Sequence, residues 1–402
     1  MQQALCTVQE EPTATKKDHI LFLSTVFCFW FATYIYIPVF GLYLEDIGFT
    51  YALIGIILGS YGVTQIILRF PLGVLSDRLV GIRKQLLIIG FYAALLSGLL
   101  LIFSEAFWAV FAARMLAGIT AAMWVMATVL YSQYFQAEHV AKAMGRVQFI
   151  TVFAQFFSMM ISGYLVLSFG WKFPFWLAVI TSIIGIILAY QIKDISSPVT
   201  TSKTIKLTSH MKRTVKLKGL KKITFLSLCG HAILFITIFG FSPMYASQLS
   251  SSNHAITFLV CAFFVPHALA TFLLMFYKIH VNNQKTILLW SFIVTTLLLV
   301  LVPFSQSLTA LSFIHAGFGL TLGIIFPLLL SMVIQVSTTE LKNSAMGFYQ
   351  SFYAIGILLG PLVAGEIAEV VHISFIFYLC AFVAFIAVLI VLVMNKQKSS
   401  SS

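Results

Sequence analysis

Acidic side chains are scarce in this chain: 12 Asp and Glu among 402 residues, against 24 Lys and Arg. Charged residues together make up 9%, where a soluble domain carries about 25%. That deficit excludes an ordinary soluble fold, which needs a charged surface to stay in water. The five cysteines (Cys6, Cys28, Cys229, Cys261, Cys380) are odd in number and scattered. Such spacing excludes a disulfide framework and a metal cluster, and it leaves them as small residues facing core or lipid. No Ser/His/Asp set and no phosphate-cradling glycine loop is present, and the loops are too short to fold a catalytic domain. An enzyme, a cofactor and a metal are therefore not expected.

What the chain has is apolar length. Sixty per cent of it is hydrophobic, and the mean hydropathy is +1.01. In lipid only helices and closed barrels satisfy their backbone. The apolar runs are roughly 20 residues or longer, which is helix length, whereas barrel strands need only about 9–11 alternating residues. The pattern predicts an all-α membrane protein with twelve spans, at about 20–44, 51–76, 85–104, 106–136, 142–168, 172–192, 222–248, 255–278, 285–305, 307–337, 343–369 and 372–394. The first run is too long for the h-region of a cleavable signal, which is about 7–15 residues.

Net charge is +12, and its placement decides its meaning. With the N-terminus inside, every Lys and Arg except Lys172, Arg69 and Arg114 falls in an inner loop, a tail or a span end on the inner face. This is the positive-inside pattern. The charge is an orientation signal, nucleic acid is not a partner, and both termini are expected in the cytoplasm, in the plasma membrane.

The expected organisation is a polar tail at 1–18, a six-helix half at 19–192, a basic linker at 193–221, a second half at 222–395 and a tail at 396–402. The linker is expected to lie partly on the anionic inner leaflet. The halves read as copies. Ala143-Met144-Gly145-Arg146-Val147-Gln148 recurs as Ala345-Met346-Gly347-Phe348-Tyr349-Gln350, and Gly163 matches Gly365 at the same offset. Arg114 and Gly118 match His315 and Gly319 at an offset one shorter.

The stretch Gly73-Val74-Leu75-Ser76-Asp77-Arg78-Leu79-Val80-Gly81-Ile82-Arg83-Lys84 joins the second and third spans. It resembles the major facilitator signature Gly-x-x-x-Asp-Arg-x-Gly-Arg-Arg/Lys, which sits between the same two helices. One extra residue separates Arg78 from Gly81, and Ile82 precedes Arg83; the order of key residues survives. The segment Arg114-Met115-Leu116-Ala117-Gly118-Ile119-Thr120-Ala121-Ala122 is similar to a second family motif, common in proton-coupled drug exporters. Ala117 and Thr120 depart from it. The resemblance implies the facilitator fold, two pseudo-symmetric six-helix halves with substrate between them near mid-membrane. It also implies a latch at Gly73, Asp77, Arg78, Gly81, Arg83 and Lys84.

Arg114 lies within a span, where a charge costs about 2.5–3.5 kcal/mol on insertion scales. It fits either a polar cavity tied to proton transfer or a structural role on helix carbonyls. Ten of the twelve acids lie in tails, loops or span ends; only Glu366 and Glu369 fall inside a span, toward its outer end. Histidine can carry a coupling proton instead. His315, the counterpart of Arg114, is the leading candidate, with His231, His267 and Glu366 behind it; each histidine also fits a neutral ring bonded to a carbonyl. Arg69 either lines an inner vestibule or has a structural place, snorkelling toward the cytoplasm; the second is favoured. Two arginines with little buried acid point to an anionic or zwitterionic substrate. Tyr34, Tyr36, Trp124, Phe149 and Tyr353 are candidates to line its site.

Gly118 is a packing position, and Gly356, Gly360, Pro361 and Gly365 form a small-residue stripe that brings the eleventh helix close to the second. The Gly-Pro stripe that exporters carry in the fifth helix is reduced to Gly163. The leading expectation is a proton-coupled exporter of a drug or small metabolite, monomeric in the bilayer. Import of a small solute by proton symport or uniport is the alternative.

Overall fold

The computed structural model describes residues 14–76, 79–135, 140–195, 207–250, 254–277 and 279–399. Asp77 and Arg78 of the charged turn lie outside the described residues. Among the described residues the chain is helical throughout, with no strand. Twelve helices are long and apolar enough to cross a membrane: α1 (Lys16–Asp46), α2 (Tyr51–Leu75), α3 (Arg83–Phe103), α4 (Phe107–Ser132), α5 (Met144–Phe169), α6 (Phe173–Gln191), α7 (Leu220–Leu249), α8 (Ala255–Leu274), α9 (Val281–Phe304), α10 (Leu308–Val336), α11 (Lys342–Val370) and α12 (Ile373–Met394). A short helix, Leu207–Val215, precedes α7. We call the side where Lys16, Lys84, Lys285 and Lys342 end their helices the basic face, and the other the far face.

Helix partnerships repeat with a shift of six. The α2–α4 pair recurs as α8–α10, α3–α6 as α9–α12, and α1–α6 as α7–α12. Three seams join the first six helices to the last six: α2 against α11, α5 against α8, and the far part of α1 against α7.

The α2–α11 seam is a backbone contact. A Cβ on Gly73 would stand 2.7 Å from Gly347 Cα, and one on Gly365 would stand 2.9 Å from Gly55 Cα. Only hydrogen fits at those points, so glycine at both ends lets the helices touch over most of their length. The small-residue stripe of α11 serves two neighbours rather than one. Gly365 and the Pro361 carbonyl meet Gly55 of α2, whereas Gly356 and Gly360 face Leu228 and Ala232 of α7. Gly118 of α4 packs onto Tyr61 and Thr64 of α2.

Two helices are broken at equivalent places. α1 consists of Lys16–Tyr34 and Ile37–Asp46, with Pro38 in the first turn of the second piece. α7 carries a π-helical turn at Thr237–Phe241, and Pro243 opens the segment after it. Proline cannot donate to the preceding turn, so the ladder parts just upstream of each one.

Candidate functional site

A cavity of about 730 Å³ lies between the two sets of six helices. It begins at mid-span, at Tyr34, Tyr61 and Phe239, and runs along α5 and α8 as far as Gly145 and Leu274. Those residues lie close to the basic ends of their helices, so the cavity reaches that face. Toward the far face it is closed. Tyr34 meets Phe239 at 5.1 Å between ring centres, and Gly41 lies against Met244. Beyond them Tyr51 donates its backbone N–H to Glu369 at 2.8 Å and accepts at its hydroxyl from Gln248 at 3.2 Å.

The polar centre of the cavity spans both sets of helices. Arg69 of α2, 3% exposed, donates from Nη1 to the Tyr353 hydroxyl of α11 at 2.6 Å and from Nη2 to the Ala121 carbonyl of α4 at 3.1 Å. Its Nε has no partner. One turn earlier, Gln65 spends its amide N–H on the Tyr61 carbonyl, and its Oε1 is buried without a donor. Among the described residues no carboxylate lines the cavity. Burying an ion without a counter-charge costs several kcal/mol. One phenol and one carbonyl offset only part of that for Arg69.

His231 of α7 lies flat on the Tyr353 ring, 3.7 Å between centres with 4° between planes. Its Nδ1 is 2.9 Å from the Ser227 carbonyl. A carbonyl only accepts, so Nδ1 carries the hydrogen and Nε2 keeps the lone pair. His267 of α8 is held in the same way, with Nδ1 3.1 Å from the Gly319 carbonyl. Both imidazoles line the cavity, and both are anchored in the tautomer that leaves Nε2 basic. Ser227 ties the group further by donating to the Tyr349 hydroxyl at 2.9 Å.

The structure separates the residues singled out in the sequence. Arg69, His231 and His267 come together at the cavity wall, with Tyr34, Trp124, Phe149 and Tyr353. Arg114 does not reach it. Its guanidinium sits in an aromatic box, 4.8 Å from the Tyr61 ring centre, 5.4 Å from Phe40 and 5.9 Å from Tyr36, and Nη1 donates to the Tyr36 hydroxyl at 3.1 Å. Tyr61, a wall residue, thus lies between Arg114 and the cavity. His315 is fully buried away from the cavity, with Nδ1 at the Leu311 carbonyl and Nε2 2.8 Å from Ser242 Oγ. The repeat explains the pair: Arg114 ties α4 to the break in α1, and His315 ties α10 to the end of the π turn in α7. Glu366 is exposed near the far end of α11.

At the basic end of α2, Gly73 belongs to the α2–α11 seam. Arg83, itself buried, donates to the Ser76 carbonyl from Nε and Nη2 at 3.0 and 2.5 Å. Lys84 caps the end of α6 through the Tyr190 and Ile192 carbonyls at 2.7 and 2.8 Å. Gly81 has open space around it. On the same face, Arg213 of the Leu207–Val215 helix forms a two-bond pair with Glu340 at 2.8 Å each.

Among the wall residues that the sequence reading passed over are glutamines and threonines. Gln148, Thr151 and Gln155 form a polar stripe on α5, and Gln65 precedes Arg69 by one turn. Their helical spacing in otherwise apolar spans was the available signal.

The sequence profile of the Major Facilitator Superfamily matches residues 22–250 and 223–402. The inner membrane transport protein YajR of Escherichia coli K12 is 24% identical over 336 residues, covering 82% of this chain and 71% of YajR. The quinolone resistance protein NorA of Staphylococcus aureus is 22% identical over 372 residues, covering 90% and 92%. Among solved structures, a point mutant of the nucleoside transporter NupG superposes with a TM-score of 0.76 at 14% identity, covering 94% of this chain and 99% of that one.

Proposed function

The chain belongs to the major facilitator superfamily, and on that premise we propose that it exports a small anionic or zwitterionic molecule by alternating access, driven by inward proton flow. It is an integral, multi-pass membrane protein. In this reading the basic face is cytoplasmic, by the positive-inside rule, the membrane is the cell membrane, and the protein works as a monomer. The cavity then faces the cytoplasm, where an exporter loads.

The observation that carries the reading is the buried Arg69 with its two free-based neighbours, His231 and His267, in one cavity between the two sets of helices. A substrate anion supplies the charge that Arg69 lacks. A substrate N–H or O–H donating to the Nε2 lone pairs and a proton arriving on them exclude one another, and the exchange of the two is the coupling. The histidines at the wall take this role rather than His315 or Glu366. The name of NorA, a quinolone resistance protein, fits removal of a drug from a cell. The runner-up is import of a small solute by symport or uniport.

Asp77 and Arg78, with Gly73, Gly81, Arg83 and Lys84, form the latch in this proposal. The deciding experiment is substrate-dependent proton movement in proteoliposomes, screened over anionic, zwitterionic and cationic compounds. Protons leaving the lumen as an outside substrate enters are the result expected of an exchanger. Protons entering together with that substrate would favour symport. Solute flux without proton movement would favour uniport, and no flux with any class would sink the reading.

A further inference from the structure

We infer that the substrate is an amphipathic monoanion, taken from the leaflet at the basic face through a slot between α5 and α8, with its acidic head on Arg69. This rests on the transporter reading and narrows its substrate class.

The slot follows from how the two helices meet. They touch in their far halves, where Thr257 donates to the Met160 carbonyl at 3.1 Å and the Phe156 and Phe264 rings stand 6.2 Å apart. Toward the basic face both helices line the cavity instead. Four of their side chains there are wall residues and yet about half exposed: Phe149 at 55%, Phe153 at 46%, Leu269 at 52% and Phe272 at 47%. A side chain that borders a cavity and the outside at once stands at an opening.

The chemistry of that opening selects its traffic. Each helix carries two stripes. On α5, Gln148, Thr151 and Gln155 face the cavity, and Phe149 and Phe153 form the edge, continued by Phe157 in a ladder of rings 6.2 and 6.1 Å apart. On α8, His267 and Thr271 share the wall with an edge of Leu269 and Phe272. A slot meant for water would have polar edges; apolar rims at lipid depth do not hinder an alkyl or aryl chain. Inside, the wall is largely aromatic, and among the described residues its one permanent charge is Arg69 and no carboxylate neutralises it. A lipophilic cation would meet that charge unopposed. An anion with an apolar body satisfies both the head and the wall.

The test uses the full-length protein in phosphatidylcholine nanodiscs and liposomes, with alkanesulfonates as probes. They stay ionised, so they do not leak across as neutral acids. Butane-, octane- and dodecanesulfonate are titrated against dodecyltrimethylammonium, with protein-free discs as the partition background. The expected result is affinity that rises roughly fourfold per added methylene until the wall is filled, with the anion preferred over the matched cation. Arg69→Gln should cut that preference by about tenfold or more, since a charged hydrogen-bonding partner is lost. In liposomes, Phe149→Gln with Leu269→Gln should slow dodecanesulfonate uptake relative to butanesulfonate uptake. Equal affinity along the chain series, or preference for the cation, overturns the inference using wild-type protein alone. If substrate-coupled proton flux survives for a water-soluble compound while the alkanesulfonates fail, the transporter reading stands and this narrowing of it falls. If neither assay responds, both fall.

Discussion

The Arg69 guanidinium and the Tyr353 hydroxyl are 284 positions apart in the chain and 2.6 Å apart in space. The bond joins α2 to α11 inside the cavity, and it uses a donor that an arriving anion would also claim. Tyr353→Phe keeps the ring under His231 and removes only the acceptor. Arg69 then stays buried with one partner fewer, at a cost of about 1–3 kcal/mol. A lowered thermal midpoint in detergent, restored in part by saturating substrate, is the expected outcome. An unchanged midpoint would mean that Arg69 has found another acceptor.

The three histidines within the spans named above should behave differently. His231→Gln and His267→Gln are expected to flatten the dependence of active transport on pH across about 5.5–8, a window around the ordinary imidazole value near 6.5. His315→Gln is expected to lower stability, because Nε2 holds α10 to Ser242 of α7 while Nδ1 is fixed on the Leu311 carbonyl of its own helix, and to keep the profile of the parent. Counterflow and proton-driven uptake measured side by side separate the two effects. A flattened profile in His315→Gln alone would return the coupling role to α10.

At the α2–α11 seam, Gly73→Ala places a methyl group 2.7 Å from Gly347 Cα and 2.8 Å from the Asn343 carbonyl. Both are backbone atoms, so the helices themselves have to part. Overpacking of this kind costs about 1–3 kcal/mol. The cost should appear as a lower unfolding midpoint. Gly347→Ala combined with it should not add in full, since the two methyls share one displacement. Full additivity in a double-mutant cycle would contradict the shared contact.

The Arg213–Glu340 pair sits in the open, about half exposed on each side. The arginine holds the Glu340 carboxyl below its ordinary value of 4.5, and the carboxylate raises Arg213 in return. A depressed carboxyl contributes stability that is present above its unfolded value and is lost as pH falls through the folded one. Glu340→Gln should therefore differ from the parent at neutral pH and converge with it in acid below the ordinary carboxylate range. The difference should also shrink as salt is raised. A gap in melting temperature that persists in acid or in high salt would show that the effect is not electrostatic.

Twelve spans and the duplication were legible in the sequence, because each is a matter of length, order or spacing. The direction in which each buried polar group points was not. His231, His267 and His315 all lie inside apolar spans, and a helix that is apolar all round gives no stripe from which to read its rotation. Arg114 drew attention through its motif, yet its aromatic box is assembled from residues of α1 and α2 that are distant in sequence. Arg69 looked like a residue reaching for the surface. Its place at the wall depends on Tyr353, which only the packing of α11 onto α2 brings near.

The glycine contacts of α2 and α11 also say which relative motions the two helix sets can make. Where bare backbone meets bare backbone little resists a change of angle, and the resistance that remains comes from the side-chain links across the seam, Arg69 to Tyr353 and Ser351 to the Ile66 carbonyl. Sliding is different. A shift of one turn, about 5.4 Å, would carry Gly347 away from Gly73 and bring Asn343 or Ser351 to a spot with room for hydrogen alone. The seam therefore fixes register more firmly than angle, and the travel it permits would fall on the opposite side, at α5 and α8.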